Sequence, residues 1–268
     1  MPDIEFSVSQ ALIDDHFEGL NLDRSNFTND ETPVPSMVAG AADNFHEASR
    51  FRQERGHLWM RQEWDLRSPL VQSEHYVAHA RIEDIYHRRD RTVVNTAMTL
   101  NNAEGETILS SKHHQSFLLD EPVELVQFRD PGRKEGARKF TRPSGSPLEP
   151  FDQVVTLEMC GQYFHGSRSY HTDRKASEAL GFHDVVVGGR MTMAYVGHLL
   201  EQHFGTNWWH GGKLDIKFTN PLWPDEHITI RGIATGPDDD PSREGVFAWI
   251  AKDDETVVLI ANASAPRG

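Results

Sequence analysis

Cysteine is almost missing from these 268 residues. Cys160 stands alone, so no intrachain disulfide framework can form, and its apolar neighbourhood reads as a buried thiol rather than a nucleophile. Long apolar runs are missing as well; nothing approaches the ~20 residues that a membrane-spanning helix needs. The opening residues, MPDIEFSVSQALIDDHFEG, lack the basic and apolar stretches of a secretory leader, so a cytoplasmic compartment is expected. Positive charge is in deficit: 27 Lys and Arg against 41 Asp and Glu leave a formal charge of -14 with His neutral. That balance argues against nucleic-acid or anionic-membrane partners, although a local basic patch could still meet a small anion. Fifteen histidines raise the question of a metal, but no Cys cluster and no HxxxH helix pair with a carboxylate accompanies them, so no metal is expected. No Walker A motif and no GxGxxG after a strand is present, which excludes the familiar nucleotide cofactors; none is expected.

What the chain does have is periodicity. Residues 1–35 are mixed and turn-rich. Met37, Ala41, Phe45, Ala48 and Phe51 recur at three- and four-residue steps, predicting a helix from an N-cap at Ser36 to a stop at Gly56. Leu58, Met60, Trp64 and Leu66 share one parity and predict a strand in which Gln62 is the exception. Further strands are predicted over 76–86, 91–101 and 107–119, with a hairpin turn at 101–105. Residues 121–150 hold five prolines and the basic cluster RKEGARK at 133–139, and read as a linker between 1–120 and 151–268. In the second half, a strand-like DQVVTLEM precedes the turn-rich HGSRSYHTD. A short helix RKASEALGF and a longer helix over 189–204 follow, then strands over 211–219, 227–235, 246–252 and 256–264. Trp208-Trp209-His210 reads as a cover for a sheet edge or an oligomer contact.

The halves share a signature. Pro69-Leu70 precedes Glu74-His75 as Pro221-Leu222 precedes Glu226-His227, at one offset (221 − 69 = 152). Each PLxxxEH lies between two strand-like segments, and each half puts a helix before it and strands after it. The motif itself reads as a turn, and its context implies duplication of a helix-plus-sheet unit. An α+β architecture follows, with one helix covering one face of an antiparallel sheet in each repeat.

The segment Tyr163-Phe164-His165-Gly166-Ser167-Arg168-Ser169-Tyr170-His171-Thr172-Asp173, followed by LGFHDVVVGGRMTM, resembles the MaoC-like family of (R)-specific enoyl-CoA hydratases. That family reads approximately SGDxNPxHxD, then GF and HGM at the start of a long helix. His171-Thr172-Asp173, Ala176, Gly181-Phe182 and Gly189 match it, and the interval from His171 to Gly189 is the family's (189 − 171 = 18). KFTNPLWPDEHITIRG resembles the family's later strand-turn-strand. The likeness is specific over about 151–235 and weak over 36–119. It implies a double hot-dog fold, two repeats of a long helix wrapped by an antiparallel sheet, and a hydratase or dehydratase acting on an acyl-CoA-like thioester or a small unsaturated or hydroxylated acid. It also implies His171 as acid/base and the Gly189 N–H as oxyanion donor. Both roles are physically sound: an imidazole can take and return a proton, and an N–H at a helix start is unpaired within the helix and lies at its positive end.

The departures are as informative. Gly166 stands where the family has its catalytic Asp, Arg168 where it has Asn, Ser169 where it has Pro, and Gly188 where it has the His of HGM. His165 could act as the second acid/base, with Arg168 binding an anionic group; alternatively Asp43 or Asp184 could enter the site, or hydration could be lost. Tyr163, Tyr170 and Gly188 complete the expected substrate surroundings, with core packing the competing reading for the tyrosines and a tight turn for the glycines. Arg190 in the first helical turn opposes the helix dipole, a cost that an anion would ease. A homodimer is the expected assembly. The rival readings are a non-catalytic partner subunit or ligand-binding module, and hot-dog chemistry of another kind, such as a thioesterase.

Overall fold

A computed structural model describes residues 1–24, 33–43, 55–88, 91–119, 121, 124–125, 140–166, 168–237 and 240–268. Its frame is one eleven-stranded sheet. The first half contributes β1 (Ile4–Ser7), β2 (His57–Leu66), β3 (His75–Arg88), β4 (Arg91–Asn101) and β5 (Thr107–Phe117). The second contributes β7 (Phe151–Val154), β8 (Lys213–Phe218), β9 (His227–Pro237), β10 (Arg243–Lys252) and β11 (Val257–Pro266), and the two-residue β6 (Ser146–Pro147) lies between. The spatial order is β1-β3-β4-β5-β2-β8-β11-β10-β9-β6, with β7 also on β9, and every pairing is antiparallel.

The repeat is visible residue by residue. Leu66 and Phe218 end β2 and β8, His75 and His227 begin β3 and β9, and Arg91 and Arg243 begin β4 and β10, each pair at the offset of the PLxxxEH motifs. Ser73 and Asp225, related in the same way, both take left-handed backbone angles (φ 66° and 67°) and turn the chain into the next strand. The motif is therefore the turn it was read to be. β2 and β8 pair at the centre, where Glu63 faces its own repeat equivalent Asp215. Arg61 bridges this acidic pair, holding Asp215 through two hydrogen bonds of 2.7 and 2.8 Å and reaching Glu63 at 3.3 Å.

The 16-residue α4 (Gly189–Phe204) lies in the core, with Met191, Met193, Ala194, Tyr195, Val196 and Leu200 almost fully buried. In the first repeat the chain enters a 3-10 turn at Ser36–Ala39 and continues helically to Asp43; the rest of the predicted helix, including Phe45, Ala48 and Phe51, lies outside the described residues, as does the basic cluster 133–139. No described helix is long and apolar enough to cross a membrane.

Several sequence expectations change. The turn-rich start contains β1 and α1 (Gln10–Leu20), capped by the Ser9 hydroxyl, with Ile13, Phe17 and Leu20 on its buried side. DQVVTLEM is not one strand: β7 ends at Val154, and Thr156 caps α2 (Leu157–Tyr163). RKASEALGF is helical only as α3 (Arg174–Glu178). A bulge at Met60 breaks the alternation of β2, leaving Leu58 and Met60 half-buried and burying His57, Gln62, Trp64 and Leu66. Trp208 and Trp209 are core residues rather than an edge cover: α5 (Thr206–Trp209) buries both, and their ring N–H groups donate to Ser36 Oγ and Val34 O at 2.9 Å. Part of the expected linker also has a packing role. Phe140 sits on Phe247 and Trp249, and Arg142 lies over Trp249, covering the outer side of β10.

Candidate active site

α2 ends in the segment that carries His171. The chain leaves α2 through His165 and Gly166, both at positive φ (51° and 66°), and re-enters helix at Asp173, whose carboxylate caps α3 by accepting from Ala176 N at 2.8 Å. Between these points Tyr170 is buried. Its hydroxyl donates to the His57 carbonyl at 2.8 Å and accepts from the His57 N–H at 3.3 Å, tying this loop to the start of β2.

His171 is half-buried. Its Nδ1 lies 2.7 Å from the Val186 carbonyl, which can only accept, so Nδ1 carries the proton and Nε2 keeps its lone pair. Burial pushes this imidazole down to about 4; the charge of Arg190 acts in the same direction, and the Val186 bond opposes both. The ring is therefore neutral near pH 7. It stacks on Phe164 (centroids 5.5 Å, planes 16° apart) and leans on Tyr170 (4.1 Å).

Two glycines let this cluster close. Gly188 is the N-cap of α4, and a Cβ there would overlap the Phe164 ring. Gly189 is the first helical residue; a Cβ on it would lie 2.7 Å from Trp59 Cε3 and 3.3 Å from Phe218 Cε1. Neither has a positive φ, so close approach rather than conformational freedom demands glycine at both. The Gly189 N–H has no acceptor within its own helix. Trp59 is sandwiched between His113 (4.5 Å) and Phe218 (5.0 Å), and a polar chain runs back from it: Trp59 Nε1 to Gln62 Oε1 (3.1 Å), then Gln62 Nε2 to Asp43 Oδ2 (3.0 Å), with Ser111 Oγ on Asp43 Oδ1 (2.7 Å). His57 joins from the first repeat. Burial first, and then the charges of His171 and His113, lower it to about 4.

His171, Gly188, Tyr170 and Tyr163 are thus linked through shared contacts, the last through its hydroxyl on the Arg190 carbonyl (3.5 Å) and its ring against Phe164, while Gly189, next in the chain to Gly188, packs on Trp59 and Phe218. His165 and Arg168 point elsewhere. The His165 side chain is 79% exposed and bonds Asp15 at 3.1 Å; that of Arg168 is 70% exposed and pairs with Asp173 at 3.2 Å. Gly166 is exposed, with nothing near the place a side chain would begin. Of the two reserve carboxylates, Asp184 is engaged by Arg174 (3.0 Å) and Val185 N (2.7 Å), whereas Asp43 is the buried end of the Trp59 chain. His57 and Trp59 went unnoticed in the sequence because they come from a distant segment, and Phe164 and Phe218, though inside the quoted segments, were given no role; the glycine pair was the one signal that large rings would crowd that point. Cys160 is fully buried and its thiol is pushed up to about 12, which fits the expected inert role. Among the described residues no group of three His, Cys, Asp or Glu could hold a metal ion. A trough of about 850 Å³ crosses the sheet near Glu63, Lys112, Lys213 and Asp215 and is not lined by His171 or Gly189.

No family sequence profile matches this chain, and no curated protein matches it by sequence. Solved structures do match it in shape. A MaoC-like dehydratase superposes with a TM-score of 0.74 at 11% identity, covering 100% of this chain and 97% of its own. A MaoC-like dehydratase from Phytophthora capsici gives 0.73 at 14% identity, covering 99% and 95%. A Mycobacterium tuberculosis protein described as a double hot-dog gives 0.67 at 12% identity, covering 98% and 93%. At these identities the likeness fixes the fold: the chain is a double hot-dog of the form seen in MaoC-like dehydratases.

Proposed function

We propose that this double hot-dog is a hydro-lyase that adds water to, or removes it from, an acyl-thioester or small unsaturated acid. The observation that carries the reading is the His171–Val186 hydrogen bond, which fixes a neutral imidazole with Nε2 free; its ring stacks on Phe164, against which Gly188 packs one residue before the Gly189 N–H. In the hydration direction Nε2 takes a proton from water as the oxygen bonds to the β-carbon. The α–β electron pair shifts to give an enolate whose oxygen faces the Gly189 N–H at the positive end of α4. The imidazolium then returns the same proton to the α-carbon. One imidazole closes this cycle, which suits a chain with Gly166 where the MaoC-like motif that this segment resembles has Asp. The half-buried rings of Trp59, Phe164 and Phe218 offer an apolar wall for the acyl group.

Enoyl-thioester hydration by wild type and His171→Ala tests the assignment. A loss of at least ~100-fold is expected for a general acid/base, and equal rates would remove His171 from the mechanism. The large trough, which does not reach His171, favours one second reading: a ligand-binding module without turnover. Saturable binding of a thioester with no product by mass spectrometry would select it. We further propose a homodimer as the working assembly; sedimentation at micromolar concentration measures it.

A further inference from the structure

Arg190 is the second residue of α4, beside the proposed oxyanion donor, and its electrostatic position is unusual. Its guanidinium lies 5.0 Å from the Tyr163 ring centroid and 5.7 Å from that of Phe164, the ring on which His171 stacks. Among the described residues no carboxylate pairs with it, and its Nε is buried without a hydrogen-bond partner. It stands in the first turn of a 16-residue helix, where a positive charge opposes the dipole. Arg190 is only partly buried, and the two aromatic faces offset part of the cost of burying its Nε without a partner.

Among the described residues this partner is not supplied. Arg190 shares a cavity of about 10 Å³ with Leu12, Asp15, His16, Val38 and Tyr163. That is room for about one water molecule. His16 is only 4% exposed, its Nδ1 has no partner, and burial together with the charges of His198 and Arg190 pushes it down to about 3. A water in this cavity can satisfy His16 Nδ1 and Arg190 Nε, but it cannot neutralise the guanidinium. Asp15, the one acid on the cavity wall, is already held by Gln162 (3.0 Å) and His165 (3.1 Å). Among the described residues nothing bonds the terminal fork of Arg190, which is part of a half-buried side chain, and its planar pair of donors matches a carboxylate.

We propose that Arg190 anchors a carboxylate of the substrate, so that the molecule handled beside His171 and Gly189 is an acid or an acyl group bearing a second, distal carboxylate. This rests on the hydro-lyase reading for its reaction but not for its binding. The sequence reading gave the anion to Arg168 and noted that one would ease the cost of Arg190; the fold gives Arg168 to Asp173 and leaves Arg190 without a counter-charge among the described residues.

Succinate titrated into the full chain at pH 7, followed by calorimetry and by the ring-nitrogen resonances of histidine, tests the anchor. Saturable binding that shifts the His171 resonance is expected, weakened at least ~10-fold by Arg190→Met and unchanged by Arg231→Met, whose arginine pairs with Glu255 elsewhere. Undiminished binding to Arg190→Met, or no saturable binding to wild type, overturns the proposal. Inorganic phosphate binding more tightly than succinate overturns the carboxylate assignment. Should Arg190→Met not fold, Arg190→Lys decides: it keeps the charge and loses the fork, and wild-type succinate affinity in that variant would refute the anchor. Two enoyl-thioesters of equal length, one with a terminal carboxylate, separate this inference from the reaction. Arg190-dependent succinate binding without hydration of either thioester sinks the hydro-lyase reading alone. Hydration of both with KM unaffected by Arg190→Met sinks the anchor alone.

Discussion

The Tyr170 hydroxyl holds both backbone polar groups of His57, donating to its carbonyl at 2.8 Å and accepting from its N–H at 3.3 Å. One side chain from the second repeat thereby stands in for a strand partner at the entry to β2 of the first. Removing the oxygen leaves two buried backbone groups at His57 without that partner, a cost of about 1–3 kcal/mol. Tyr170→Phe is expected to unfold at lower denaturant with an unchanged slope. It should also free His57 and the Trp59 that follows it, raising KM as well. A variant as stable as wild type would show that the bond contributes nothing net.

Acid should destabilise this protein through its buried histidines. His16 is pushed down to about 3, and His57 and His171 to about 4, in each case chiefly by burial. Unfolded, the same rings titrate near 6.5. Between about pH 6.5 and 4 the unfolded chain thus binds more protons than the folded one, and stability falls as pH falls through that window. The comparison of wild type with His16→Asn isolates one ring. Their difference in unfolding free energy should shrink or reverse from pH 7 to pH 4.5, and a difference independent of pH would contradict the assignment.

Much of this fold was legible. The PLxxxEH pair fixed the repeat, and the hairpin over 101–105 forms as read, with Gly105 at φ 83° and Asn102 Oδ1 accepting from Glu106 N at 2.8 Å. His171 stacks on Phe164, the ring that also packs against Gly188 at the start of the long helix. Gln62, the polar misfit of its strand, is the fully buried link between Asp43 and Trp59. What escaped notice depended on tertiary contact. The bulge at Met60 leaves no local sequence mark, and the Trp208-Trp209 pair looks the same whether it faces water or Ser36 and Val34. The orientation of His165 was not legible either, because Asp15, its partner, lies 150 residues away in a helix hidden inside a turn-rich start.

Glu201 works against the histidines. The Ser36 N–H and hydroxyl donate to its Oε1 at 2.7 and 2.6 Å, pinning the entry of the first repeat's helical segment to α4. Burial raises this carboxyl to about 7, and the two Ser36 bonds oppose the shift without cancelling it. A folded-state value above the unfolded one means that this group's contribution is complete below about pH 4.5 and is lost as pH rises through 7. Glu201→Gln keeps an acceptor for Ser36 and cannot ionise. It should be more stable than wild type at pH 8, by on the order of 1–3 kcal/mol, with the gap closing by pH 5. Chemical denaturation at the two pH values measures it, and a larger gap at pH 5 than at pH 8 would show the sign to be wrong.

Gly188→Ala addresses the geometry on which catalysis would depend. The added methyl would overlap the Phe164 ring, which must then rotate or slide off the His171 imidazole. The backbone at Gly188 (φ -62°, ψ 137°) suits alanine, so no conformational strain arises and the effect is steric alone. Overpacking of this kind costs about 1–3 kcal/mol when neighbours cannot yield, and less where a ring can move. Phe164 is half-buried and can move, so the expected loss is small in stability and larger, at least ~10-fold, in kcat for thioester hydration, with the His171 ring displaced from its stack on Phe164. The double variant Gly188→Ala with Phe164→Leu should recover part of the rate by relieving the overlap. If the single variant keeps full kcat, the stack of Phe164 on His171 has no part in setting the position of the base.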